Sequence, residues 1–213
     1  MDRKLAAPDI GTRDQILRCA AEMFRREGYA AVTLRRIAKG VGMTTGSLYY
    51  HFASKEEIVS EILDQGHRRC LVEVRHAVTS LGPRASSREI LKTAILVHIG
   101  CTLGEDSFPS ANVRIFAHVP AEVRLNSLGI RHEYERYWFA LIRRGQDQGT
   151  VRTHEDPGVL ANLLFGAMNW MLEWYKKDRH DIEGIAETLT GLIHGEEKQV
   201  RAPKRRQKRA AMA

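Results

Sequence analysis

Apolar residues recur along most of the chain at the three-to-four-residue interval of amphipathic helices, and no segment keeps strand-like alternation. Ile16, Leu17, Ala20, Met23 and Phe24 form the first stripe. Thr12 and Gln15 have capping-box spacing and Gly28 suits a stop, so a helix is expected over 13–27. Thr33 suits the cap of a second helix over 34–40. The chain should then turn at 41–43, where Gly42 tolerates positive φ, and enter a short helix over 44–50. Ile37, Ala38, Val41, Met43 and Leu48 are spaced to bury one side of this pair. Ser54 and Glu57 form a second capping box, opening a long helix to about residue 79.

Further helices are expected over 88–103, capped by Ser86 or Ser87, and over 111–119, after a break at Gly104 to Pro109. Two longer ones should cover 121–148 and 157–176, the second opened by Asp156 and Pro157. A last helix over 182–194 ends before Gly195. The expectation is an all-α chain of about nine helices. It divides into a flexible arm at 1–11, a three-helix helix-turn-helix domain at 12–64, a second helical domain at 65–195 and a disordered basic tail at 196–213.

The short helix pair leaves Arg35, Arg36, Thr44, Thr45, Ser47, Tyr49, Tyr50 and His51 for its outer side. Cations and hydrogen-bond donors on a rigid helix pair suit a DNA groove. Charge sharpens this. The chain carries +7, but residues 198–213 hold seven basic residues and no acid. Residues 1–55 have ten basic and five acidic side chains, whereas 56–197 have 16 and 21. A basic module therefore precedes an acidic body, as expected of a double-stranded-DNA reader with a separate second domain.

Residues 12–63 resemble the N-terminal domain of the TetR family of bacterial transcriptional regulators. The resemblance rests on TLRRIAKGVGMTTGSLYYHFASKEEI, in which Gly42, Gly46, Ser47, Leu48, Tyr49, His51 and Phe52 match the family core. It implies that Thr33 lies near a phosphate and that Arg35 reaches a base edge, where guanidinium–guanine pairing is the commonest specific contact. It implies phosphate contacts for Thr44 and Thr45 at the start of the recognition helix. Thr45, Gly46, Ser47 and Tyr50 would read the groove, while Tyr49, His51 and Lys55 would anchor phosphates. Gly46 departs from members with proline or a larger residue there and offers no side chain for readout.

The resemblance further implies a C-terminal domain that dimerises and encloses a ligand pocket. Tyr134, Tyr137, Trp138, Leu141 and Ile142 mark an apolar side of one long helix, and Leu160, Leu164, Ala167, Met168 and Met171 one of the next. These are the expected homodimer surfaces. The segment LLFGAMNWMLEWYKKD is similar to one in the KstR-type subgroup, which includes repressors of steroid and fatty-acid catabolism, several responsive to acyl-CoA thioesters. The implied inducer is a bulky, partly apolar metabolite such as an acyl-CoA, with His98, Phe116, His118, Trp138 and Asn169 as candidate lining residues.

Other chemistry has little support. Cys19, Cys70 and Cys101 have no paired spacing and are expected to be reduced. His98 and Cys101 are two potential ligands without a third, so no metal and no cofactor is expected. No nucleophile elbow or phosphate loop occurs, which counts against an enzyme. The longest apolar stretch, 159–175, has 17 residues and contains Asn162, Asn169 and Glu173, short of the ~20 needed to span a membrane. The N-terminus lacks a signal-peptide core, so the expected location is cytoplasmic and no membrane partner is expected. The expected function is ligand-responsive repression by a homodimer on a palindromic operator. The alternatives are a nonspecific architectural DNA binder led by the tail, and a small-molecule-processing enzyme.

Overall fold

The computed structural model describes residues 11–152 and 154–194. The expected arm, apart from Gly11, and the expected tail lie outside the described residues. Ten helices occur among the described residues and no strand, apart from an isolated antiparallel bridge between Val151 and His194. The all-α expectation holds. No described helix is long and apolar enough to cross a membrane.

α1 (Thr12–Ala31), α2 (Leu34–Val41), α3 (Thr45–His51) and the first turns of α4 (Lys55–Ser80) share one core. Ile16, Phe24, Ile37, Leu48, Phe52, Ile58 and Ile62 are fully or almost fully buried in it. Thr12 does not cap α1: Gly11 precedes the helix and no side-chain cap bond forms. Gly28 breaks helical geometry with φ 77°, as its position suggests. At the second capping box, Ser54 Oγ accepts from Glu57 N–H at 3.1 Å, but the Glu57 carboxylate takes the Ala53 N–H at 2.7 Å. The reciprocal bond has moved one residue back.

Beyond α4 come α5 (Ser87–Leu103), α6 (Ser107–Ile115), α7 (Ala121–Asn126), α8 (Leu128–Asp147), α9 (Pro157–Trp174) and α10 (Ile182–Ile193). α6 begins before the expected 111 because Asp106 caps it through Phe108 N–H at 3.1 Å, leaving Pro109 in the first turn. Proline lacks only an N–H that has no helical partner there. The single helix expected over 121–148 is two, separated at the buried Ser127 (φ −91°, ψ 5°). The Ser127 hydroxyl donates to Ser60 O at 3.4 Å, a contact with α4 that no local pattern reveals.

Two cores result. The second unites α4, α5, α8, α9 and α10 around Trp138, Ile95, Ile142, Leu164 and Met168. The first extends beyond α1–α4 to Phe108, Ala111 and Ile115 of α6 and Val123 of α7. α4 contributes to both, and α6 lies against α1 and α4. Their crossing is close: a Cβ on Gly66 would come within 2.8 Å of Phe108 O and 2.9 Å of Asn112 Cβ.

Candidate functional site

Two features stand out, an exposed polar face on α2–α3 and a cavity between α4, α5, α6, α8 and α9. On the first, Thr33 caps α2 by accepting from Arg36 N–H at 3.3 Å. Gly42 follows with φ 78°, and its N–H reaches Ala38 O and Lys39 O. Without a Cβ this left-handed turn costs little. Thr44 caps α3 by accepting from Ser47 N–H at 3.1 Å, and its Oγ1 lies 2.9 Å from Ser47 Oγ. Two exposed helix starts, α2 and α3, are thus fixed by hydroxyls, and free N–H groups at such ends favour phosphate.

Leu48 faces the core, which turns Tyr49 (54% exposed) and Tyr50 (89%) outward. Tyr50 meets the half-buried His51 edge-on, with ring centroids 5.5 Å apart. Thr45 is half-buried, while Arg35, Gly46 and Ser47 are exposed. Arg35 forms no salt bridge among the described residues. Arg36 is held by Glu27 at 2.5 and 2.9 Å and by Ala31 O at 2.8 Å. Lys55 is also engaged: its Nζ donates to Tyr29 O at 2.6 Å and lies 3.8 Å from the Tyr29 ring centroid. Burial lowers its pKa from the ordinary lysine value.

The cavity has a volume of about 240 Å³. Phe116, Phe165, Pro109 and Val113 give it apolar walls, and His67, His98, Arg131 and Asn169 bring polar groups. His98 on α5 is buried between α8 and α9. Its Nδ1 is 2.8 Å from the Tyr134 hydroxyl and its Nε2 is 3.1 Å from Asn169 Oδ1. With Asn169 presenting its carbonyl, Nε2 donates to it and Nδ1 accepts from the tyrosine. Burial holds the His98 pKa down to about 4, so the ring is neutral. His67 is likewise held to about 4, chiefly by burial and then by the Arg131 charge.

Asn112 Nδ2 donates to Leu63 O at 2.9 Å and lies 2.8 Å from His67 Nδ1, joining α6 to α4 at the cavity wall. Arg131 stacks on Phe116 at 4.3 Å and donates to Glu135 at 2.7 Å. A groove of about 490 Å³ adjoins the cavity, sharing Val113 and Asn169 with it. It runs past Arg114, His118 and Trp170 to Glu27 and Gly28 at the end of α1. Arg114 is paired with Glu173 there.

His98, Phe116 and Asn169 therefore line the cavity, and His118 lines the groove. Trp138 lies outside the lining, packed edge-on behind His98 and Tyr134. Tyr134, His67, Arg131 and Phe165 escape sequence reasoning because their helical spacing equals that of ordinary core positions. No group of three or more metal-ligating side chains occurs among the described residues.

Residues 16–62 match the family model described as "Bacterial regulatory proteins, tetR family", and residues 84–195 match "Tetracyclin repressor-like, C-terminal domain". The chain belongs to the TetR family. It is 51% identical over 181 residues to the HTH-type transcriptional repressor KstR2 of Mycobacterium tuberculosis, covering 83% of this chain and 86% of that one. It is 28% identical over 167 residues to KstR2 of Rhodococcus jostii, covering 78% and 80%. Among solved structures it resembles AibR in complex with isovaleryl coenzyme A and operator DNA. That match has a TM-score of 0.75 and 25% identity, covering 85% of this chain and 97% of that one. As a member of the TetR family, the chain is a DNA-binding transcriptional regulator with a ligand-binding C-terminal domain.

Proposed function

We propose that the protein is a cytoplasmic, homodimeric repressor, released from a palindromic operator by an acyl-CoA-like inducer. The observation that carries this reading is the sharing of α4 and α6 between the DNA-reading core and the cavity wall. Thr33, Arg35, Thr44, Thr45, Gly46, Ser47, Tyr49, Tyr50, His51 and Lys55 would form the DNA face. Lys55 would serve it mainly by tying α4 to the end of α1.

The ligand space supports a bipartite molecule. The cavity alone, at about 240 Å³, suits a compact apolar group. The adjoining groove gives room for a larger remainder, whose phosphates would have to draw Arg114 away from Glu173. An acyl-CoA has this division, and two similar proteins give a partial parallel: KstR2 of Mycobacterium tuberculosis is a ketosteroid transcriptional regulator, and AibR forms a complex with isovaleryl coenzyme A and operator DNA. A ligand that spreads α4 from α6 near Gly66 would shift the DNA-reading core. It acts only through its differential affinity for the two shapes.

The dimer surface in this reading differs from the expected one. Tyr134, Trp138, Leu141, Ile142, Leu160, Leu164, Met168 and Met171 are buried within the single chain. They are core, because α8 and α9 pack on each other and on α5, with α4 also against α8. The outer side of α9 instead exposes Val159, Leu163, Trp170 and Trp174, and such a stripe marks an association surface.

Fluorescence anisotropy with DNA from the chain's own upstream region tests the proposal, with acyl-CoAs, matching free acids and coenzyme A as additives. Specific binding that acyl-CoAs reverse is expected. Specific binding unaffected by any of them, with no thermal shift, would remove the inducer assignment. Binding that ignores sequence would favour the architectural alternative.

A further inference from the structure

A chain of hydrogen bonds crosses the cavity wall. Tyr134 on α8, His98 on α5 and Asn169 on α9 are joined in that order, at 2.8 and 3.1 Å. The rings of Tyr134, Trp138 and Phe165 surround the His98 ring, with centroids 5.9, 6.0 and 5.5 Å away, and hold its plane. A neutral imidazole has one donor and one acceptor nitrogen. With the tyrosine donating to Nδ1, Nε2–H is left for Asn169 Oδ1. That bond fixes which way the amide faces. Its oxygen is turned to α5, and Nδ2 keeps both hydrogens without a partner among the described residues.

Asn169 also stands at a boundary. It and Val113 line both the cavity and the groove, and of the two only Asn169 has a polar side chain. A ligand with one part in each space passes these side chains where its two parts are joined. We infer that Asn169 Nδ2 donates a hydrogen bond to the carbonyl oxygen at that junction, and that Asn169 thereby selects acyl thioesters over ligands that lack the oxygen.

Asn169 is the specificity-determining residue, and His98 and Tyr134 are positioning residues behind it. Burial keeps the His98 ring neutral, so Nδ1 stays an acceptor and the order of donors along the chain is preserved. The amide is half-buried, where a hydrogen bond is stronger than in open water. Orientation by a second residue also means that no freedom of the amide has to be lost when the ligand arrives. This role rests on the acyl-CoA reading of the cavity and adds to it the atom that is recognised.

Calorimetric titration of the full chain compares two matched pairs, octanoyl-CoA with S-octyl-CoA and cyclohexanecarbonyl-CoA with S-cyclohexylmethyl-CoA. Each thioether lacks only the carbonyl oxygen. In any pair that binds, the thioester is expected to be about tenfold tighter. Asn169→Asp keeps an acceptor for His98 but has no N–H to offer, and should erase that ratio. Tyr134→Phe removes the donor to His98 Nδ1 and should shrink it, whereas loss of packing alone would weaken both members of a pair equally. Equal binding of thioester and thioether to the unaltered chain would overturn the inference and leave the acyl-CoA reading standing. So would a ratio unchanged in Asn169→Asp. Failure of all the ligands to bind would remove the acyl-CoA reading and this role together. Where a variant does not fold, the infrared spectrum of the carbonyl-labelled thioester on the unaltered chain decides. Its C=O stretch is expected below the frequency in hexane, and an equal frequency would overturn the inference.

Discussion

At the scale of single residues, burial changes what a side chain does. His98 is held to about 4 against an ordinary 6.5. Between these values the unfolded chain binds a proton that the folded chain refuses, so stability rises with pH. The contribution is complete above about 6.5 and is lost as pH falls towards 4, roughly 3 kcal/mol in all. Urea unfolding from pH 7 to 4 should show this loss, and His98→Gln should remove the share that belongs to His98. His67 acts in the same sense. On the DNA face, Arg35 and Lys55 should separate. Arg35→Ala is expected to weaken operator binding by about 1–3 kcal/mol with the melting temperature unchanged. Lys55→Met removes a bond to Tyr29 O and should lower stability by about 1 kcal/mol, seen as a reduced thermal midpoint. If Lys55 were only a phosphate anchor, the salt slope alone would change. The motif shows where Arg35 and Lys55 stand in sequence. Their different engagement depends on Tyr29, which arrives from α1 and takes Lys55 but not Arg35.

At the scale of elements, short-range signals are legible where both partners are close in sequence. The hydroxyl caps at Thr33, Thr44, Ser54 and Ser86 all form, as do the Asp caps at 156 and 181. The break at Ser127 is different, because it depends on α4 packing against a residue 67 positions away. The α4–α6 crossing at Gly66 depends equally on distant partners. Gly66→Ala is expected to cost about 1–3 kcal/mol, since backbone Phe108 O cannot swing aside. Gly100→Ala on α5, where nothing lies within 4 Å of the added carbon, should stabilise by about 0.5–1 kcal/mol. Chemical denaturation of the pair reads both signs. Equal effects would mean that helix propensity, not the crossing, governs residue 66.

At the scale of the whole molecule, the exposed stripe on α9 is the place to break the proposed dimer. Leu163 is 66% exposed and lines neither the cavity nor the groove. Leu163→Glu should yield monomers in sedimentation with the helical signal retained, and a variant that stays dimeric would move the interface elsewhere. The sequence by itself determined the all-α class, the DNA-reading helix pair and the family, because periodicity, caps and the 33–57 motif are local properties. It also picked out His98, Phe116 and Asn169, though from residue type and resemblance, not from geometry. Only the tertiary structure decided which apolar faces are core. Two helices of equal amphipathicity look alike until their neighbours are placed, and α4 and α5 take the faces expected for a partner. The same placement set Asn112 of α6 against Leu63 and His67 of α4 and ran the groove from the cavity to the end of α1. Each of these is a contact between residues remote in sequence, and no local pattern encodes such a distance.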